Sequence, residues 1–595
     1  MLICLLSLRA QAGSLWTYSE EPVSLSDISL SGMTSQEVRS SGLSSLELSD
    51  LVPSLQIQGS KLTGPTPTLF LRGSPSDEVL ILWNGIELND PAAGGGGASP
   101  LEIGREFSHQ MIVTKGPQTL LDGPQALAGV LNWKKSTAIS SRAQVSVGTL
   151  QNQSGLFEYQ KKNRDSAWGV GGSSFRSQGL SVSADPSTNE KDAQTMSTGS
   201  AFFEGRLNDQ SGVEAWVMSS LSENDDDLFG AQDPDAKSTH RLSAGRLSFK
   251  QDYSEKDLLK FELQNVWSQR VNRNDPISIS GGYLDQTTGQ RTKQVIEWNR
   301  TEPKYFFDFH VDSIQEAMSG TSESSLPKTG FDRRQSNQGI AAILSTANKD
   351  AKIGLRSDQF NQDADQRQSV FSWNLFQRGP EFLNSMRPFI SISEGHRFPT
   401  LYQRYSSYGN SALQSQAMRD YEIGTEGFFQ TSSRYLAVLF RNDYTQMIDY
   451  DLVTSKYQNR GRTQLWGLEF EISTQTIFDL WTWGFVYLQA RDQVLDQKLL
   501  RRPNYSSSAL WIHQISDFWS STVGAHWLGA RPDQDLSGSV ELAQTLQSHL
   551  ALQYHPISNL KWNLQFENIF NSSSPQVATY TVVPMSASLS VEYAF

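Results

Sequence analysis

From about residue 140 to the end, the chain alternates apolar and polar residues in runs of roughly eight to eleven, separated by stretches rich in Gly, Asn, Asp and Ser. The last run is the clearest. Met585, Ala587, Leu589, Val591, Tyr593 and Phe595 share one face, and Ser586, Ser588, Ser590, Glu592 and Ala594 share the other, because successive strand residues point to opposite sides. Leu560, Trp562, Leu564 and Phe566 oppose Lys561, Asn563, Gln565 and Glu567 in the same way, and Leu259, Phe261 and Leu263 oppose Lys260, Glu262 and Gln264. A soluble sandwich would bury the apolar face between two sheets. A transmembrane barrel would give that face to lipid and the polar face to a wet lumen. Periodicity fits both, but extent favours the barrel. The pattern persists for about 455 residues with no helical block, room for on the order of twenty strands with their loops.

Composition narrows the class further. No run of eighteen apolar residues exists, which excludes a polytopic helical membrane protein but not a barrel, whose strands average to polar. The formal charge of -13, with no basic run, argues against nucleic acid. Many of the 15 Trp and 18 Tyr fall near strand ends, as do Trp481, Trp483, Tyr487, Trp511, Trp519 and Trp527. That placement suits interfacial girdles, although strands are enriched in aromatics anyway. The one cysteine, Cys4, lies in the first apolar stretch, so without that stretch the chain has no disulfide, zinc cluster or thiol nucleophile. The eight histidines are scattered, without H-E-x-x-H or G-x-S-x-G, and no catalytic residue is assigned.

Four regions follow. Residues 1–12, apolar from Leu2 to Leu8 and ending in Ala10-Gln11-Ala12, read as an export signal that lacks its basic opening, the other reading being a buried N-terminal strand. Residues 13–28 are a linker. Residues 29–137 form a small α+β domain, with helix-start chemistry at Ser35–Val38 and Ser44–Leu51. In that domain Val79–Trp83 suits a strand buried on both faces, and Asn84-Gly85 is the preferred hairpin pair. Residues 138–595 are the barrel.

Certain motifs carry a resemblance. Leu69–Gly73, Val79–Leu82, Asn84-Gly85-Ile86 and Asn89-Asp90-Pro91 resemble the plug domain of TonB-dependent outer-membrane receptors. Ile112–Pro117, Gly123, Ala126 and Gly129–Asn132 are similar to a second plug signature. Arg397–Tyr402, Gly409-Asn410, Leu413, Glu422, Gly424, Asn459, Gly467, Glu469 and Asn568–Asn571 resemble barrel signatures, and a terminal aromatic such as Phe595 is the usual assembly signal. The chain departs from the family at Asp122, where an aromatic is usual, at Ala128, where a glycine is, and at Pro584-Met585-Ser586, where Pro-Gly-Arg is common.

The resemblance implies an all-β transmembrane barrel of about 22 antiparallel strands, closed by the N-terminal plug, in the outer membrane of a Gram-negative bacterium. It implies active uptake of a scarce, large nutrient such as cobalamin or a ferric siderophore by a monomer in outer-membrane lipid, driven through a TonB-type periplasmic energy transducer. The overall size and the acidic loop described below favour cobalamin. The rival readings are a passive gated porin or adhesin on the same barrel, and a soluble β-rich binding protein. The transducer would pair as an added strand with a short N-terminal box, for which Glu20, Glu21, Pro22, Val23, Ser24 and Leu25 are the candidates.

Arg72, Gly73, Asn84, Gly85, Lys115, Gly116, Pro117, Gly123 and Gly129 are read as structural. Arg72 is expected to crosslink plug strands or to reach a carboxylate of the barrel wall, because its five donors never lose their charge. The alternative is that Arg72 and Lys115 touch substrate. By resemblance, the loop holding Gly94, Gly95, Gly96 and Gly97 reaches the plug apex, and Ser60-Lys61 is a second apex candidate. The acid cluster Glu223, Asp225, Asp226, Asp227, Asp233 and Asp235 has no basic residue across positions 222–235 and is expected between strands. No cofactor is required, but Asp225, Asp226, Asp227, Asp233 and Asp235 suit calcium, which takes six to eight oxygens. The other reading is a solvated acidic loop.

Overall fold

The computed structural model describes residues 35–39, 52–58, 68–94, 97–98, 110–134, 141–184, 191–225, 236–274, 283–323, 329–362, 366–382, 385–430, 433–451, 454–535 and 538–595. The alternating region forms a closed barrel of 22 antiparallel strands, from Arg142–Gly148 to Ser586–Ala594. It closes where Leu589 stands opposite Val147, and the Phe595 amide donates to the Ser141 carbonyl at 2.8 Å. Closure leaves no strand edge unpaired, which backbone in lipid requires. Connections at one end are short, such as residues 163–165, 209–210 and 253–256, and those at the other are long, such as 178–193, 398–415 and 568–585. Both ends of the barrel sequence, Ser141 and Phe595, meet at the short-turn end.

The alternation resolves into two faces as the sequence predicts. Phe261 and Leu263 are 41% and 45% exposed on the outside, while Gln264 between strand and plug is 4% exposed. No helix among the described residues is long and apolar enough to cross a membrane.

The N-terminal domain stands inside this wall. Its sheet runs in the order Ser35–Arg39, Gln110–Lys115, Gly129–Lys134, Val79–Trp83, Ile86–Glu87. Val79–Trp83 is buried throughout, and Asn84 and Gly85 turn it back with φ of 47° and 78°, both positive as the two-residue hairpin demands. At Gly129 an added Cβ would lie 2.3 Å from the Thr114 carbonyl oxygen, so only glycine permits this approach of two strands.

One expectation is overturned. Ser35–Val38 does not start a helix; Ser35–Arg39 is an edge strand with Ser35 opposite Thr114 and Arg39 opposite Gln110. The open ladder of Gln110–Lys115 supplies main-chain partners that outweigh a weak local cap preference.

Candidate functional site

The site is built from two parts, a buried ionic latch between plug and wall and an aromatic vestibule above it. The latch begins with a turn. Leu71 and Ser74 pair across Arg72 and Gly73, whose φ angles are 51° and 83°. This tight hairpin holds the Arg72 side chain out toward the wall. Lys115 ends the strand Gln110–Lys115, and Gly116, at φ 77°, turns the chain away. On the wall, Asp420 and Glu422 share the inward face of Gln416–Gln430, while Glu469 and Glu471 share that of Lys456–Gln475.

Arg72 donates from Nε to Glu469 Oε1 at 3.1 Å and from Nη2 to Oε2 at 2.8 Å, and also pairs with Glu422. Lys115 Nζ lies 3.3 Å from Glu469 Oε2 and 2.7 Å from Glu471 Oε1. The guanidinium also lies over the Phe440 ring, 4.5 Å from its centroid. Bidentate geometry and full desolvation make such bonds strong, and loss of one partner leaves an unpaired buried charge. Both cations are sealed, with side-chain exposures of 1% and 0%, and their ion pairs join the plug to the barrel wall.

Further polar contacts continue around the circumference. Arg270 Nε donates to Asp90 Oδ2 at 2.8 Å, Arg291 Nη1 to Glu87 Oε1 at 2.6 Å, and Arg246 Nη1 to the Asn84 carbonyl at 2.8 Å. Arg397 pairs with Asp77 at 3.0 Å. Glu78 accepts from Tyr444 Oη at 2.6 Å and from Gln416 Nε2 at 2.7 Å. Burial, reinforced by neighbouring Asp77, pushes this plug carboxyl up to about 8.

The vestibule sits at the long-loop end. Helix Leu401–Tyr405 starts on a capping box: Thr400 Oγ1 accepts from the Gln403 amide at 3.1 Å and the Thr400 amide donates to Gln403 Oε1 at 3.0 Å. Gln403 Nε2 also donates to Asp77 Oδ2 at 3.0 Å, and Leu401 packs with Ala92 of the plug and Met318 of the wall. Asn410 Nδ2 donates to the Tyr457 carbonyl at 3.1 Å, and Asn459 accepts from the Gln414 amide at 2.9 Å, tying this connection to the strand Lys456–Gln475. Four rings thereby form a chain beside exposed Gly94. Tyr402–Tyr457, Tyr457–Tyr450 and Tyr450–Tyr408 have centroid distances of 6.3, 5.3 and 6.0 Å. A Cβ added at Gly94 would lie 3.7 Å from Tyr457 Oη and 3.9 Å from the Tyr402 ring. Flat apolar faces with hydroxyl donors suit a ligand that is partly aromatic and partly polar.

The structure places the nine plug-signature residues at turns or strand ends of the plug; Gln118 Nε2 donates to the carbonyl of Gly116, and an added Cβ at Gly123 would lie 3.6 Å from Ile314 of the wall. Gly97 lies against the Ser76 carbonyl rather than the vestibule, its added Cβ only 3.3 Å from that oxygen. Glu223 and Asp225 are not between strands: they end the strand Ser211–Asp225, where Asp225 pairs with Lys237 at 3.2 Å. Strand pairing with Lys237–Asp252 continues to that position, which the acidic composition concealed. Residues 1–12, Glu20–Leu25, Ser60, Lys61, Gly95, Gly96, Asp226, Asp227, Asp233 and Asp235 lie outside the described residues. Among the described residues no group of three His, Cys, Asp or Glu is placed to hold a metal. Sequence reasoning missed Glu471 and the rings of Tyr408, Tyr450 and Tyr457, which come from separate strands and a connection and share no local spacing.

A domain fastened inside a closed 22-strand barrel defines the class of plugged β-barrel proteins, and comparison identifies the family. Residues 139–571 match the family described as TonB dependent receptor-like, beta-barrel, and residues 22–130 match the TonB-dependent receptor plug domain. The chain belongs to the TonB-dependent receptor family, whose members are receptors and transporters. Similar solved structures include the copper transporter OprC, at TM-score 0.80 and 14% identity over 94% of this chain and 99% of that one. The siderophore receptor PirA from Acinetobacter baumannii has TM-score 0.76 and 14% identity, over 98% and 100%. The ferric yersiniabactin uptake receptor FyuA from Yersinia pestis has TM-score 0.77 and 13% identity, over 95% and 99%. At these identities the likeness is one of fold.

Proposed function

We propose that this receptor takes up a large, scarce metal chelate, of the ferric siderophore or cobalamin kind, across the outer membrane of a Gram-negative bacterium, driven by a TonB-type transducer. The observation that carries this reading is the vestibule. Gly94 of the plug and the rings of Tyr402, Tyr408, Tyr450 and Tyr457 meet at the long-loop end, directly above a plug held by buried ion pairs. A ligand seated there touches both plug and wall, so its binding can be sensed by the element that must move. A pore wide enough for such a ligand would leak if open, and the plug occupies it. The membrane has no nucleotide supply, so the work must come from the inner membrane through a periplasmic partner.

The reading is tested by growth of a deletion strain on limiting cobalamin, ferric siderophores or copper, with uptake measured with and without a protonophore. Energised uptake of one chelate, lost on deletion and on uncoupling, is expected. Uptake that survives uncoupling, or free ion conduction by the purified protein in planar bilayers, would instead make it a passive pore.

A further inference from the structure

Between the plug and the wall, several strands round from the latch, lies a cavity of about 20 Å³, room for one guest the size of a water molecule. Gln125 comes to it from the plug, Glu316 from the strand Tyr305–Glu323, and Gln335 and Asn337 from the strand Thr329–Thr346. Phe360 and Phe398, stacked with centroids 4.2 Å apart, form an apolar side. Phe398 opens the connection that carries the helix Leu401–Tyr405, so the cavity abuts the base of the vestibule.

Three side-chain oxygens here, Gln125 Oε1, Gln335 Oε1 and Asn337 Oδ1, are buried and accept no hydrogen bond from the described residues. The three residues are 9%, 7% and 5% exposed. The two wall amides are not free to turn. Gln335 Nε2 donates to Glu316, and Asn337 Nδ2 donates to Asp358 Oδ1 at 2.7 Å, so in each the oxygen is the end left over. One buried acceptor without a donor is costly, and three at one cavity call for a common partner. A single water cannot answer them. Its two hydrogens are outnumbered by three amide oxygens and the Glu316 carboxylate, and the wall amide groups that could donate to its lone pairs are already spent. A cation can bind all of these oxygens at once.

The local charge agrees. Glu316 accepts from Arg291 Nε at 2.7 Å, Arg291 and Lys293 both pair with Glu87, and Arg356 pairs with Asp312 and Asp358. Four carboxylates in this network share three cations, which leaves one negative charge over. Oxygen ligands select hard cations. Three neutral amide oxygens and one carboxylate shared with Arg291 offer little charge to calcium, and room for a single guest leaves no space for the waters that magnesium keeps. Neutral carbonyl oxygens are instead the ligands that hold alkali ions.

We propose that this cavity binds an alkali cation, held by Gln125 from the plug and by Glu316, Gln335 and Asn337 from the wall. The ion is a second kind of fastener. Unlike the latch, its strength depends on the surrounding salt, because a ligand that binds only the docked plug stabilises docking by mass action.

Limited proteolysis of the full chain tests this. The protein is purified in detergent and choline chloride, and sodium or potassium then replaces choline at constant ionic strength. Cleavage within residues 110–134 should slow as one of these ions rises, about tenfold at ten times its dissociation constant. The two arms decide which ion it is, and broadening of the sodium-23 resonance reports sodium binding directly. Gln125→Met keeps the length of the side chain and removes the oxygen, so it should abolish the ion dependence whatever it does to the rate itself. Gln338→Met, on the exposed outer face of the same wall strand, should leave that dependence unchanged. Heat-modifiable gel mobility shows whether the variants fold; if Gln125→Met does not, Gln335→Met takes its place. Equal cleavage in choline, sodium and potassium would mean a cavity that holds water only and would overturn the proposal. So would an ion dependence that survives loss of the oxygen, or protection by calcium in place of the alkali ions.

Discussion

Arg72 of the plug and Glu469 of the wall, 397 residues apart in sequence, meet with both carboxylate oxygens engaged, at 3.1 and 2.8 Å. Lys115 shares the same carboxylate, so three charges from two parts of the chain form one unit. Such a unit is hard to break piecemeal, and any displacement of the plug from this part of the wall would have to break it.

Removing one member should therefore be costly. Arg72→Ala is expected to weaken plug docking by about 3–5 kcal/mol, because Glu422 and Glu469 remain buried without their main partner. Limited proteolysis of the plug in detergent, read as the rate at which it becomes cleavable, checks this. A rate equal to wild type would mean that the other contacts around the rim suffice.

Strand facing gives a sharper contrast. Leu564 is 36% exposed on the outer face, and Gln565 beside it is 8% exposed on the inner face. If position 564 lies near the bilayer midplane, Leu564→Arg should destabilise the barrel by roughly 2–4 kcal/mol, and Gln565→Arg should cost much less. Refolding into vesicles under urea measures both, and equal losses would contradict the facing.

The vestibule rings should matter to ligand and not to fold. Tyr457→Ala and Tyr402→Ala each remove an aromatic face and a hydroxyl, and we expect each to weaken chelate binding by roughly three- to tenfold. Titration calorimetry with the chelate that supports growth provides the readout, while unchanged melting shows that the loop still stands.

Coupling is predicted to depend on a single backbone donor. Val23→Pro removes an N–H from the proposed added strand, so uptake should vanish while binding stays intact. Wild-type uptake in this variant would place the box elsewhere.

Calcium at the acidic loop has its own signature. Chelator should loosen substrate binding, and calcium should restore it better than magnesium, which demands tighter octahedral geometry. No heat on titration with millimolar calcium, together with unchanged substrate affinity, would leave the acidic run after Asp225 as solvated and remove the preference for cobalamin over other chelates.

What the sequence determined by itself was every property that repeats along the strand. Alternation assigned Phe261, Leu263 and Leu564 to the outside and Gln264 and Gln565 to the inside, since a strand has a period of two whatever surrounds it. Asn84-Gly85 announced its hairpin because few other pairs tolerate two positive φ angles. Arg72 was legible as a buried cation that either crosslinks plug strands or reaches a wall carboxylate, since its five donors never lose their charge. Which carboxylates it meets was decided only in the closed barrel, where the strands carrying Glu422 and Glu469 stand on either side of Ser433–Asp451. Tertiary pairing also made an edge strand of Ser35–Arg39, whose local preferences point to a helix. The ring chain of Tyr402, Tyr408, Tyr450 and Tyr457 depends on register and strand tilt. Those are set by the closure of all 22 strands at once, and no window of sequence contains them.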